Sequence, residues 1–245
     1  DPDLIIGTVG RAAWIMDDIH PLRDLAAAGK EMLEAPFKAF DAPDAYLAHY
    51  KQAAGTRFMA DAIYRGQNRA YGALITFWLK ALKSPKVPEG VDAAMIPKPK
   101  KDTVTVEVSN TAGEVIRTMK YMAVAGMYRM NWRLAKDGFR MPGMPKPKPG
   151  APLPSGTAVL PGTYTVKVMY DGQESSTTVK VLPDPRVEGR MADKEASAAL
   201  ADRFATNIRL ITAGVDNLKA AKKDMQQAIG MIKKQLKDDE ETNKA

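Results

Sequence analysis

The sequence predicts a mainly β protein with added α structure, in which an antiparallel β-sandwich is followed by a long helix. Two observations give this fold class. Between residues 104 and 181, short runs of alternating apolar and polar residues are separated by turn sequences, which favours a sandwich over a parallel α/β sheet. Beyond residue 193, apolar residues recur at spacings of three and four, which is typical of a helix.

The alternating runs give the strands of the predicted sandwich. In DTVTVEVSN, Val104, Val106 and Val108 alternate with polar residues, the period of a strand with one solvent-facing side. Further strands are predicted at Glu114–Met119 and in the segments MYRMNWRL, TYTVKVMY and SSTTVKVL. Residues 83–102 and 137–161 are rich in proline and are predicted to be long irregular stretches.

Three of these segments, VEVSNTAGEVIRTM, AGMYRMNWRL and LPGTYTVKV, resemble the immunoglobulin-like domain of bacterial flagellar hook-capping proteins and its secreted relatives. The matching positions are Gly113, Val115, Gly126, Trp132, Pro161, Gly162, Tyr164 and Val166. In the relatives, a segment similar to AYGALITFWLKAL forms the first strand, so the resemblance implies an immunoglobulin-like domain over residues 70–183. Such a domain is widely used as a non-catalytic spacer or packing module, and its fold alone assigns no chemistry.

Residues 1–20 are predicted to form two short strands, Leu4–Thr8 and Ala12–Met16, joined by a turn. An isolated two-stranded hairpin is only marginally stable in water, so these strands require a partner sheet. The segment GTVGRAAWIMDDIHPL resembles the final strands of the sortilin-type, BNR-repeat β-propeller of large secreted bacterial proteins, with Ala12 in place of their usual glycine. The matching residues are Gly7, Thr8, Gly10, Arg11, Trp14, Asp17, Asp18, Ile19, Pro21 and Leu22.

This second resemblance implies that residues 1–20 belong to the last blade of a propeller that lies mostly outside the chain. The chain would then be the C-terminal part of a longer exported protein, located in the bacterial periplasm, on the outer surface or secreted. Residues 21–69 are predicted to be an irregular and partly helical connector, because helical composition in PLRDLAAAGKEMLEA is followed by Pro36 and Pro43.

Residues 184–245 are predicted to be a helical tail, with Asp193 as its N-cap. Its apolar residues follow coiled-coil a and d spacing, interrupted only by the polar Lys222. We call these nine residues the apolar seam: Phe204, Ile208, Ile211, Val215, Leu218, Met225, Ile229, Ile232 and Leu236. Burying such side chains stabilises by about 1.5–3 kcal/mol each, so the seam predicts a partner. A break near Thr212–Asp216 would make the tail a helical hairpin, although the unbroken seam favours one helix.

Composition narrows the possible functions. The 245 residues include no cysteine and two histidines, which excludes disulfides and cysteine metal sites and gives no histidine metal site. No apolar run approaches the roughly 20 residues of a membrane span. The net charge of +7 lies largely in Pro-Lys stretches and in the lysine-rich tail, without a basic face interleaved with aromatic residues. A solvated surface is therefore favoured over nucleic-acid binding.

The sequence predicts no catalytic, cofactor-binding or metal-ligating residue. Asp17 and Asp18 are adjacent acids, and paired acids serve glycoside hydrolysis. Neighbouring residues on a strand nevertheless point to opposite faces, so a structural turn is the favoured interpretation. The candidate interaction residues are Arg11, Trp14, Asp17, Asp18 and the nine residues of the apolar seam.

Three functions follow as hypotheses. The favoured one is a non-catalytic structural and interaction module that docks on its own propeller or on a partner protein subunit. The second is an accessory part of a carbohydrate-active, glycoside hydrolase-like enzyme whose catalytic acids lie in the absent propeller, with carbohydrate as a ligand. The third is a subunit of a larger cell-envelope complex. Whether the chain is itself an enzyme is left open by the sequence, although the absence of catalytic motifs disfavours it.

Overall fold

The computed structural model describes residues 3–10, 13–48, 69–82, 102–187 and 189–242, with side chains up to residue 236. The fold is mixed α and β, mostly strands with one long C-terminal helix, as the sequence predicts. The helices are α1 His20–Ala28, α2 Lys30–Glu34 and α3 Met191–Thr242. The strands are β1 Leu4–Gly7, β2 Ala13–Met16, β3 Phe37–Ala39, β4 Ala45–Leu47, β5 Ala73–Leu79, β6 Thr103–Ser109, β7 Val115–Met122, β8 Gly126–Trp132, β9 Ala135–Asp137, β10 Ser155–Ala158, β11 Gly162–Tyr170 and β12 Gln173–Pro183.

Two sheets carry most of the strands. One has five strands in the order β4-β12-β11-β6-β7, antiparallel except that β4 runs parallel to β12. The other has three antiparallel strands in the order β3-β5-β8. The strands β9 and β10 form a small separate pair. We refer to these three sheets together as the β body.

The hydrophobic core is one buried cluster to which both larger sheets contribute. Alternate residues of β6 and β11, such as Val106 and Val168, are directly paired across the five-stranded sheet and fully buried. The three-stranded sheet contributes Ile75, Phe77 and Trp132 to the same buried cluster. The predicted alternation of apolar and polar residues therefore corresponds to the buried and outer faces of these strands.

Two predicted irregular regions contain strands that the sequence did not indicate. In the connector, β3 pairs with β5 and β4 pairs with β12, so both belong to the β body. In the stretch 137–161, β10 pairs back on β9, and β7 extends to Met122 rather than ending at Met119. Strands of three or four residues are too short to show a period of two, which is why the pattern did not predict them. Residues 49–68 and 83–101 lie outside the described residues, so this part of the predicted connector and nearly all of the predicted irregular stretch 83–102 are not described.

The C-terminal tail is one continuous helix of 52 residues, so the alternative of a helical hairpin is wrong. Glycines 214 and 230 lie within it; each costs about 1 kcal/mol relative to alanine, which does not break a helix with this much continuous hydrogen bonding. The N-cap prediction is also wrong. Asp193 lies inside the first turn and pairs with the guanidinium of Arg190, at 3.1 Å from Nε.

Candidate interaction surfaces

Helix α3 is attached to the β body through a polar face. Lys136 Nζ lies 2.9 Å from a carboxylate oxygen of Asp202, and Arg140 pairs with Asp216. The buried Thr212 donates its hydroxyl within its own helix and lies 3.1 Å from the carbonyl oxygen of Arg140. These contacts hold one side of the helix against residues 136–143.

The Arg140–Asp216 pair is the strongest electrostatic element of this attachment. The hydrogen bond from the Arg140 guanidinium, reinforced by its charge and by the charges of Lys146 and Lys219, holds the pKa of Asp216 below its ordinary value. The carboxylate is therefore ionised throughout the neutral range. Nearby, the guanidinium of Arg209 lies 5.7 Å from the centre of the Phe139 ring, within the distance of a cation–π interaction.

The apolar seam lies on a different side of the helix. At 3.6 residues per turn, the seam positions from Phe204 to Leu218 point on average about 100° away from Ala205, Thr212 and Asp216, which face the β body. Phe204 is 61% exposed and Leu218 is 72% exposed. Seven of the nine seam residues are exposed, and only Ile208 and Val215 are partly covered. The predicted partner of the seam is therefore not found among the described parts of this chain.

The N-terminal hairpin β1–β2 forms a second exposed apolar surface. Its two strands pair only with each other in the described structure, in the register Leu4 with Met16 and Gly7 with Ala13. Side chains on both faces are exposed; Ile5 is 67% exposed and Trp14 is 55% exposed. Consecutive apolar residues that face both sides of a sheet are typical of strands covered on both faces. Arg11 lies outside the described residues.

The hairpin is fixed to the β body by an anchor that involves Asp17 and Asp18. Arg129, on β8, donates one hydrogen bond to the carbonyl oxygen of Asp17 at 2.5 Å and one to that of Asp18 at 2.6 Å. The Asp18 carboxylate is buried, 3.6 Å from Arg129 and 2.9 Å from Nδ1 of His20. The main-chain N–H of Asp18 also donates to a carboxylate oxygen of Asp3 at 2.9 Å.

This geometry gives Asp18 a structural role. Its φ of 48° lies in the left-handed region, which aspartate tolerates better than most residues, and the reversal lets the chain pass from β2 into α1. A carboxylate held by an arginine and a histidine and shielded from solvent cannot readily act on a polysaccharide. The contacts agree with the interpretation of Asp17 and Asp18 as a structural turn. The sequence did not indicate that Arg129 is the partner of Asp18.

Two cavities lie at other places on the surface. A groove of about 870 Å³ runs between the first turns of α3 and the segment from Thr157 to Pro161. The charged groups on its rim include two mutual pairs, Arg186 with Asp184 and Arg190 with Asp193. A smaller cavity of about 550 Å³ is lined by the side chains of His20, Asp24, Asp41, Asp44, Tyr46 and Arg69, among others. Within the described residues, no group of histidine, aspartate and glutamate side chains is arranged to bind a metal ion.

Comparison with protein families, with curated proteins and with solved structures finds no match to this chain. None of the helices that the structure describes is long and apolar enough to cross a membrane.

The structure separates the predicted interaction residues into two groups. Trp14, Asp17 and Asp18 belong to the hairpin and its anchor, whereas the seam residues lie along α3. Sequence reasoning missed the basic residues that position both groups, namely Lys136, Arg129 and Arg140. Arg129 is the one charged residue in the strand segment MYRMNW, and that charge was the available signal.

Proposed function

We propose that the chain is a non-catalytic structural and interaction module, the C-terminal part of a larger exported β-propeller protein. The hairpin β1–β2 supplies strands to the last blade, and the apolar seam docks on the propeller or on a partner subunit. The propeller and the export rest on the sequence resemblance alone. The interaction role is supported by a single structural observation: two apolar surfaces are rigidly attached to the β body through polar anchors, yet remain exposed.

Polar contacts hold α3 on the β body. A helix that merely collapsed onto its own domain would bury its apolar side, because each buried side chain stabilises by about 1.5–3 kcal/mol. Here the helix contacts the β body through Asp202, Thr212 and Asp216, and the only apolar side chain of α3 that is fully buried in the described structure is the small one of Ala205. An exposed apolar surface held in a fixed orientation is typical of a protein–protein interaction site.

The immunoglobulin-like interpretation of the β body has its own support. Trp132 is fully buried, and its ring centre lies 5.3 Å from that of Tyr164 in an edge-to-face arrangement. The hydroxyl of Tyr164 donates to the carbonyl oxygen of Leu160 at 2.7 Å. A buried tryptophan between two sheets, and a tyrosine bonded to the main chain a few residues upstream, are both features of immunoglobulin-like sandwiches.

Amide hydrogen exchange tests the proposal. The chain alone is compared with the longer natural polypeptide that contains it, and exchange is followed at β1 and β2. In the chain alone the hairpin is held by the anchor at its base and pairs with no further strand of the described structure, whereas completing a covered sheet would add about 3 kcal/mol or more to the free energy of opening. We therefore expect at least about a hundredfold slower exchange in the longer protein.

Strand β6, Thr103–Ser109, is the matched control, because it lies inside the five-stranded sheet; its exchange should be slow in both proteins. Equal exchange of β1 and β2 in the two proteins would contradict the proposal. Hydrolysis of a polysaccharide by the chain alone would contradict it as well and would favour the carbohydrate-active alternative.

A further inference from the structure

The distal part of α3 extends beyond the β body. Within the described residues, a contact of the helix with the loop after β9 joins Lys219 Nζ to the carbonyl oxygen of Gly143, at 3.4 Å. From residue 220 to residue 236 every side chain is exposed. The four seam residues of this part, Met225, Ile229, Ile232 and Leu236, are each at least 51% exposed. We call these four residues the distal seam.

A charged residue occupies an a or d position of the heptad pattern at each end of the distal seam. With Ile229 and Leu236 at a positions, Lys222 is also an a position, and Met225 and Ile232 are d positions. Continuing the count along the sequence, the next d position is Asp239, and the helix continues through it to Thr242. The apolar stretch therefore has a lysine at one end and an aspartate at the other.

This pattern is complementary to itself when a second copy is turned end for end. In antiparallel coiled coils, an a position of one helix lies opposite a d position of the other. Setting Lys222 opposite Asp239 of the second copy also sets Met225 opposite Leu236 and Ile229 opposite Ile232. All apolar positions then meet apolar positions, and each charged position meets its opposite charge at both ends.

The competing arrangements lack this complementarity. In a parallel pair in register, Lys222 would face Lys222, and Asp239 would face Asp239, and like charges at core positions are destabilising. Shifting the antiparallel register by seven residues sets Lys222 opposite Ile232 and Asp239 opposite Val215, which leaves both charges against apolar side chains. An anionic membrane surface is disfavoured because four consecutive acids, residues 238–241, follow the lysines.

We infer that the distal seam is the dimerisation site of this chain: two copies pair as an antiparallel, two-fold symmetric coiled coil over residues 222–239. The paired segment is about 26 Å long at 1.5 Å per residue. Each β body lies beyond an opposite end of the segment, since the helix leaves its own β body at Lys219. The pairing uses only the distal seam and leaves the hairpin and the other five seam residues, Phe204 to Leu218, for the proposed attachment to a propeller or to a partner subunit.

Disulfide trapping tests the orientation directly, because the chain contains no cysteine of its own. The variants Met225→Cys and Leu236→Cys are oxidised separately and as a mixture. The antiparallel register predicts a covalent dimer in the mixture only, since each introduced thiol faces the other position on the second copy and is about 16 Å from its own counterpart. A dimer of Met225→Cys alone would indicate a parallel pair, and a lack of any trapped dimer would overturn the inference.

Charge reversal tests the register. Lys222→Glu and Asp239→Lys should each raise the dimer dissociation constant about tenfold or more, because each sets like charges opposite one another. The double variant restores opposite charges and should return the constant to near that of the parent chain. Lys223→Glu, at a neighbouring position outside the seam, is the matched control and should have little effect.

Sedimentation equilibrium measures these constants, and circular dichroism verifies that each variant keeps its helix. If the two single variants leave the constant unchanged, the proposed register is wrong. If the parent chain is monomeric at every accessible concentration but binds vesicles of anionic lipid, the distal seam is a membrane site instead.

Discussion

Replacing Arg129 by methionine removes the anchor between the hairpin and the β body while keeping a long apolar side chain on β8. Three charge-assisted hydrogen bonds are lost, two to the carbonyl oxygens of Asp17 and Asp18 and one to the hydroxyl of Thr76, each worth about 1.5–3 kcal/mol. The buried carboxylate of Asp18 also loses its arginine, and breaking a buried pair costs about 3–5 kcal/mol. The free energies of the hydrogen bonds and of the ion pair are not additive. Both are also reduced, because Arg129 is partly solvent-exposed and Asp18 keeps its contact with His20. We expect a net loss of about 2–4 kcal/mol.

Hydrogen exchange at the amides of β2 and of the first turn of α1 is the appropriate assay, because the hairpin can detach without unfolding of the sheets. A loss of 2–4 kcal/mol corresponds to exchange roughly 30 to 1,000 times faster, up to the rate of an unstructured peptide. Arg133→Met is the matched control, since Arg133 is an exposed arginine of the same segment. It should leave exchange at β2 unchanged.

A double variant separates the two contributions. Adding Asp18→Asn to Arg129→Met replaces the buried charge by a neutral amide, so part of the lost protection should return. Unchanged exchange in Arg129→Met would show that the hairpin is not held by this arginine. Equal exchange in the single and double variants would show that the charge of Asp18 is not what the arginine compensates.

Three further predictions concern the β body and the helix. Gly72→Ala should lower the free energy of unfolding in urea by about 3 kcal/mol or more, because φ is 130° and the new Cβ would lie 2.2 Å from a main-chain oxygen. Gly113 also has a positive φ but faces open space, so Gly113→Ala should cost only about 1–2 kcal/mol. Tyr164→Phe should cost about 1 kcal/mol, for one lost hydrogen bond to a main-chain carbonyl oxygen. Since the folded pKa of Asp216 is lowered, its contribution to stability is present above its ordinary pKa of 3.8 and lost as pH falls through the folded value. Urea unfolding at pH 7 and pH 3 should therefore differ less in Asp216→Asn than in the parent chain, and an equal difference would contradict the role of the pair with Arg140.

The strands with strict alternation could be predicted from the sequence, because burial of one face imposes a period of two over seven or more residues. Val104, Val106 and Val108 illustrate this. The short strands β3 and β4 could not be predicted, since their place in the sheets depends on tertiary pairing with β5 and β12. The alternation of residues along one strand also does not predict long-range contacts between strands. The ion pair between Arg117 and Asp137, at 2.9 Å, is an example.

The apolar seam was visible in the sequence, but its orientation was not. Periodicity shows that Phe204 and Leu218 share one side of the helix, yet it does not say which side of the helix faces its own domain. That choice depends on Lys136 and Arg140, which lie in a stretch of irregular composition far from the helix in sequence. Long-range ion pairs of this kind leave no periodic signal.

Helix α3 lies on the β body through the face that carries Ala205, Thr212 and Asp216 and leaves the apolar seam open, and thiol labelling of the two faces can verify this orientation. Ile211→Cys and Ala205→Cys place one thiol on the seam and one on the docked face, in a chain without other cysteines. We expect the thiol at position 211 to react at nearly the rate of a free thiol, and the thiol at position 205 to react about a hundredfold more slowly, as a locally protected site does. The reverse order, or equally fast labelling at both positions, would show that α3 does not lie on the β body through the face that carries Ala205.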